Sequence, residues 1–179
     1  MPWEDAYPPE RLVAPDPGWS ERFADLSTSL HASLGNDWQV EHVGSTSVPG
    51  LTAKPVIDLA LGAPSRVSLR ATHGAFAAAG WTHPVEVGDH LATFLLDGSV
   101  RRSIGHVYTA EQWPTAHVRL FADWLRRHEV DRDRYAALKV GLVATGSWGE
   151  AYTPGKSHFV LDVVNRARAA RGLPSVDVL

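Results

Sequence analysis

Glu41–Asp58 reads EHVGSTSVPGLTAKPVID, and this stretch decides the fold. Gln39 to Val43 has the composition of a short strand. It runs into Gly44-Ser45, and Pro49-Gly50 marks a turn. A second apolar run, Pro55-Val56-Ile57, ends in Asp58. A glycine lets the backbone approach a phosphate closely, and hydroxyls at Ser45, Thr46 and Ser47 add donors. The competing reading of Gly44-Ser45 is a plain strand-to-loop turn. An Asp set in an apolar strand is costly to bury unless it is paired or metal-bound. Lys54, four residues earlier, is the structural alternative as its partner. Together the two features describe a phosphate cradle beside a metal-binding acid. Mg²⁺ suits such a site, because it accepts one or two carboxylates plus substrate phosphates.

The rest of the chain fits around this centre. Its 179 residues are expected to form one α+β domain, with an α/β core over about 16–110 and a helical part over about 111–172. Hydrophobic residues at 44% and charged residues at 21% are globular proportions. The net charge of −3 gives no general attraction to nucleic acid or to anionic membranes. The absence of cysteine excludes disulfides and thiolate chemistry. No apolar run reaches the length of about 18 residues that spans a bilayer. The opening MPWEDAYPPERL lacks the basic start and apolar centre of a signal peptide. A soluble cytoplasmic protein is expected, with a phosphorylated small molecule rather than nucleic acid or membrane as its partner.

Phe23, Leu26, Leu30 and Leu34 recur at helical spacing after Asp16-Pro17-Gly18, and Gly35 is a fitting stop. A helix is expected from Ser65 to about Ala79, and a strand from Trp81 to Val87. A hairpin over His90–Leu96 and Ser99–Tyr108 is expected to turn at Asp97-Gly98. Three helices should follow. Leu120, Trp124 and Leu125 mark the first; Tyr135, Leu138 and Leu142 the second; the third runs from about Tyr152 to Arg171.

Further candidates lie outside the opening stretch. Ala60 stands where a second metal ligand would share the face of Asp58. Glu41, Glu86, Asp89 and Asp97 are the available substitutes. His106 can bind metal, move a proton or hold substrate. Strict alternation puts Arg102 with His106, whereas a bulge at Gly105 would bring Arg101 round instead. Lys139 lies four residues after Tyr135, and Lys156 four after Tyr152; such lysines can hold a triphosphate or lay their stems along the core.

The run EHVGSTSVPGLTAKPVID resembles the signature of the GrpB family, a small branch of the DNA polymerase beta-like nucleotidyltransferase superfamily. The resemblance extends through Asp16-Pro17-Gly18-Trp19, Gly80-Trp81, Arg101 with His106-Val107, the FADWLRRH segment, Tyr135 with Leu138-Lys139, and Tyr152 with Lys156 and Phe159. It implies a mixed sheet flanked by helices. It also implies Mg²⁺-dependent transfer of a nucleoside monophosphate from a nucleoside triphosphate to an acceptor hydroxyl. Gly44, Ser45 and Thr46 would cradle phosphate, Asp58 would ligate metal, and Arg101, His106, Lys139 and Lys156 would complete the pocket. Two departures stand where catalysis would sit. Ala60 replaces the second acid, and RRSIGHV replaces a strand that is commonly His-rich. The alternative is therefore a non-catalytic nucleotide- or phosphate-binding module. Fusion of similar domains to dephospho-CoA kinase links that alternative to coenzyme A metabolism. The chain has no GxxxxGK(S/T) phosphate loop of its own.

Overall fold

A computed structural model describes residues 6, 8–65, 67, 69–148 and 151–179. Five strands form one mixed sheet: β1 (Gln39–Val43), β2 (Ile57–Gly62), β3 (Val85–Val87), β4 (His90–Asp97) and β5 (Val100–Tyr108), in the order β1-β2-β5-β4-β3. The β2–β5 pair is parallel and the other pairs are antiparallel. Helix α1 (Gly18–Leu34) and the short α2 (His73–Ala78) cover one face. Helices α3 (His117–Arg127), α4 (Glu129–Ala144) and α5 (Tyr152–Ala169) form a bundle joined to the sheet's other side.

Local chemistry explains the elements. The Asp16 carboxylate accepts from the Gly18 N–H at 2.8 Å and opens α1. Leu30 is fully buried against Ile57, Leu59 and Leu61 of β2, with Phe23, Leu26 and Leu34 packed around them. On the opposite side, Val43, Ala60 and Tyr108 meet Trp113 and Ala122. Gly62 lies flat under the Trp113 indole, where a Cβ would come within 2.6 Å of the ring. The bundle is tied by Asp131, which is buried, accepts from Arg166 at 2.7 and 3.1 Å, and accepts from the Trp124 indole at 2.7 Å. These guanidinium and indole hydrogen bonds hold its carboxyl below the usual carboxylate range. Among the described residues, no helix is long and apolar enough to cross a membrane.

Four sequence expectations are corrected. The helix expected from Ser65 is a 3-10 turn at Leu69–Thr72 followed by α2 from His73, and residues 66 and 68 lie outside the described residues. The strand expected from Trp81 contributes a single bridge, Trp81 to Leu95, before β3 begins at Val85. Pro84 lacks the N–H that would continue the ladder. The hairpin closes on the pair Asp97 and Val100, so its two loop residues are Gly98, at φ 60°, and Ser99. The register shift lies between Leu95 and Leu96, opposite Arg102, and not at Gly105. Gly105 sits squarely in the ladder, where a Cβ would touch Leu61 and Thr93 at 2.9 Å.

Candidate functional site

The face of β2 that carries Asp58 opens into a cavity of about 390 Å³ between the sheet and the bundle. This is the size of a small-molecule site. Gly44 and Ser45 line it from the loop after β1, and Lys54 and Asp58 from the second strand and its lead-in. Arg101 and His106 line it from β5, and Lys139, Tyr152 and Lys156 from α4 and α5.

Gly44 is required by geometry. Its φ is +66°, and a Cβ there would stand 2.3 Å from Asp58 Oδ2. The loop backbone therefore lies directly against the carboxylate. Ser45 Oγ accepts from Lys139 Nζ at 3.1 Å, and the same ammonium donates to the Thr52 carbonyl. Lys139 is thus a buried lysine, 2% exposed, whose donors are aimed at the loop and cavity. Thr46 is turned the other way. Its buried hydroxyl bonds His42 Nε2 at 3.0 Å, and His42 stacks on Phe23 of α1. The cradle expected at Gly44, Ser45 and Thr46 is, in placement, Gly44 and Ser45 alone. Burial holds His42 low, near 4, so it is neutral at ordinary pH.

The lysines crowd one another. Lys54 Nζ lies 4.3 Å from the Trp148 ring centre and 4.2 Å from that of Tyr152, and Lys156 Nζ lies 4.1 Å from the latter. Burial, then the neighbouring Lys156 charge, pulls both Lys54 and Lys139 down to about 7. Burial pulls Lys156 to about 8, partly offset by Asp58. Arg101 lies over the Phe94 ring at 4.4 Å. Among the described residues, four basic groups thus face a space containing one carboxylate, Asp58.

The bulge at Arg102 does what the sequence assigned to Gly105. It puts Arg101 on the face of Ile104 and His106, while Arg102 turns out to pair with Asp97 at 2.9 Å. His106 Nε2 stands 3.7 Å from Asp58 Oδ1. Its Nδ1 is 2.9 Å from His90 Nε2, and His90 Nδ1 is 3.0 Å from Asp89 Oδ1. His117 packs edge-on to His90 at 5.3 Å between ring centres. Burial lowers His90 and takes His117 to about 4. His90 and His117 are absent from the sequence-derived candidates. Only the hairpin register places His90 beside Tyr108 and diagonal to His106, and no spacing in the chain signals it.

The acids considered as substitutes for Ala60 are engaged elsewhere. Glu41 shares the Ala60 face, as alternation requires, but Arg119 of α3 grips it through two bonds of 2.8 and 2.6 Å. Asp97 pairs with Arg102, and Asp89 with His90. Glu86 lies on the exposed edge strand β3. In the register, the neighbour of Ala60 on the parallel strand is His106.

A mixed sheet in this order, with a Gly-Ser loop against a strand carboxylate and a helical bundle closing the cavity, defines a nucleotidyltransferase-like α+β fold. The solved structures agree in fold. The protein is similar to GrpB from Enterococcus faecalis, with a TM-score of 0.75 and 22% identity over 90% of this chain and 99% of that one. It is similar at a TM-score of 0.53 and 10% identity to a chain of the GLD-2/RNP-8 complex, over 87% of this chain and 61% of that one. It is similar at 0.51 and 13% identity to the Cid1 poly(U) polymerase with Mg 3'-dATP bound, over 72% and 42%. In sequence, the GrpB protein family matches residues 9–166, and the chain belongs to that family. It is 34% identical over 161 residues to a UPF0157 protein of Halalkalibacterium halodurans, covering 88% of this chain and 82% of that one. It is 35% identical over 161 residues to a UPF0157 protein of Deinococcus radiodurans, covering 87% and 81%.

Proposed function

We propose that the cavity binds a nucleoside triphosphate together with a divalent cation and transfers its nucleoside monophosphate to an acceptor hydroxyl. One observation carries this reading: Lys54, Lys139, Lys156 and Arg101 converge on a single cavity whose described lining holds one acid, Asp58. Three of these groups are lowered by burial or by one another. Such a set is complementary to a polyanion, which relieves the mutual repulsion on binding. The Gly44-Ser45 loop supplies close backbone approach beside the acid.

The residues fit a cation held in common with phosphate. Asp58 offers a carboxylate, and His106 Nε2 stands beside it. A divalent cation held there would supply charge neutralisation at the phosphate oxygens and polarise the reacting phosphorus. The lysines would orient the β- and γ-phosphates, and Arg101 would neutralise charge at the opposite wall. The acceptor oxygen would bond to the α-phosphorus as the bond to the β-phosphate oxygen breaks, the acceptor's hydroxyl proton would pass to water, and pyrophosphate would leave with the charge that the lysines balance.

A second reading, a phosphate-binding module without catalysis, is favoured by the pairing of Glu41 with Arg119 and by Ala60. Calorimetric titration of the four common nucleoside triphosphates, with and without divalent cation, separates the two. Binding that needs both the cation and Asp58, and that is lost in Asp58→Ala, supports transfer chemistry. Tight cation-independent binding that survives Asp58→Ala assigns the cavity to the module. Failure of all four triphosphates to bind overturns the nucleotide reading.

A further inference from the structure

Ala60 leaves the acid-bearing face of β2 one ligand short. The residue beside Ala60 on the parallel strand is His106. Its Nε2 is 3.7 Å from Asp58 Oδ1, longer than a hydrogen bond and short enough for two metal–ligand bonds of about 2.1 Å to meet between them.

The free nitrogen is set by hydrogen bonding. Asp89 is a carboxylate and can only accept, so the proton of neutral His90 is on Nδ1, donated to Asp89 Oδ1. His90 Nε2 then has only a lone pair. It must accept, and its partner is His106 Nδ1–H at 2.9 Å. The His106 proton is thereby fixed on Nδ1, and Nε2 presents a lone pair beside Asp58. A carboxylate–histidine–histidine chain of this kind orients a metal-ligating imidazole and raises its basicity. Packing holds His90 in this role, because its side chain is 5% exposed and stacks on Tyr108 at 4.7 Å between ring centres.

We propose that Asp58 and His106 Nε2 together ligate the cation, with His90 and Asp89 as the chain that fixes the His106 tautomer. The site is then selective for a first-row transition-metal dication, such as Mn²⁺ or Zn²⁺, over Mg²⁺. Mg²⁺ prefers oxygen ligands and keeps its waters, whereas an imidazole nitrogen raises affinity along the transition series. His106 takes the place of the acid missing at Ala60. This inference rests on the cation half of the proposed function and is independent of the nucleotide half.

The test uses the full-length protein and metal alone. Mn²⁺ binding is followed by the electron paramagnetic resonance signal of free Mn²⁺, and pulsed measurement on bound Mn²⁺ reads ¹⁴N coupling from a ligated imidazole. Mn²⁺ is expected to bind at least tenfold tighter than Mg²⁺ and to show ¹⁴N coupling in the wild type. His106→Gln should abolish the coupling and the preference together. His90→Phe, which keeps the ring and its packing, should weaken Mn²⁺ tenfold or more. Asp58→Asn should abolish binding. Bound Mn²⁺ without ¹⁴N coupling in the wild type overturns the proposal, as does Mg²⁺ binding as tight as Mn²⁺. The neighbouring group of Asp89, His90 and His117 is the rival location. Coupling that persists in His106→Gln and disappears in His117→Ala assigns the metal there and also overturns it. A triphosphate titration run in parallel keeps a failure here distinct from a failure of nucleotide binding.

Discussion

The two faces of β2 divide its six residues, three to each, between opposite ends. On the α1 side, Ile57, Leu59 and Leu61 are buried at 3% exposure or less among apolar neighbours. On the bundle side, Asp58 looks into a cavity walled by cations, Ala60 yields its place to His106, and Gly62 is flattened under Trp113. One face contributes stability through burial. The other gathers Lys54, Lys139 and Lys156, whose proton affinity is lowered by burial, with the neighbouring Lys156 charge adding to it at Lys54 and Lys139. The two histidines near Asp58 show the same division. His42 faces α1, is half-buried, and makes its hydrogen bond to Thr46; His106 faces the cavity with one nitrogen toward the acid.

Among substitutions, Leu59→Ala is expected to have the largest effect. It should cost about 2–5 kcal/mol of unfolding free energy, read in denaturant. Triphosphate affinity of the folded protein should stay within twofold of the wild type. A matching collapse of affinity would mean that the faces are not separable. Gly44→Ala comes next. The positive φ and the clash with Asp58 together should cost about 1–3 kcal/mol in a thermal melt and remove cation-dependent triphosphate binding.

Lys139→Met acts on the cavity face. Loss of one charged donor, worth about 1.5–3 kcal/mol, should weaken triphosphate binding by about tenfold or more in calorimetry. Lys139→Arg should not restore it, because the ammonium stands in a space 2% exposed.

The lysines also make the two states of the protein respond differently to pH. Lys54 and Lys139 at about 7 and Lys156 at about 8 have lost protons in the folded, empty protein at pH values where the unfolded chain keeps them. The unfolded state binds more protons there, so the contribution of these lysines to stability rises from about pH 7 toward 10. A bound polyanion pulls protons back, so triphosphate affinity should fall as pH rises from 7 to 9, with proton uptake visible as buffer-dependent heat. An affinity that is flat across this range would remove the lysines from the site. The smallest effect is expected from Thr46→Val, which removes one hydrogen bond to His42, worth about 1 kcal/mol, and leaves binding unchanged.

Much of the architecture was legible because it rests on local chemistry. The periodicity of Phe23 to Leu34 gives α1, the composition of Gln39–Val43 gives β1, and alternation puts Glu41 opposite His42. Asp58, Gly44, Ser45, His106, Lys139 and Lys156 meet in one cavity at positions the sequence could place, whereas Arg101 joins them only through the bulge at Arg102. The unreadable part depended on pairing. Arg119 closing on Glu41 joins positions 78 apart, and the Asp89–His90–His106 chain needs a bulge at one particular residue. Thr46 belongs to a three-residue 3-10 turn, Ser45–Ser47, whose hydroxyls diverge. Composition alone cannot say which hydroxyl points where.

The paired arginines of β5 carry a consequence for how this strand can change over generations. Arg102 is the extra residue, and the strand resumes its alternation on either side of it. Loss of one arginine, the kind of length change that adjacent identical residues invite, would straighten the strand. The remaining arginine would then fall next to Ser103 in regular alternation, on the side of Ile104 and His106. The cavity would keep a cation, and the turn at Gly98-Ser99 would keep its closing pair. A doubled residue at a bulge therefore buffers this wall of the cavity against a deletion that would re-aim any ordinary strand.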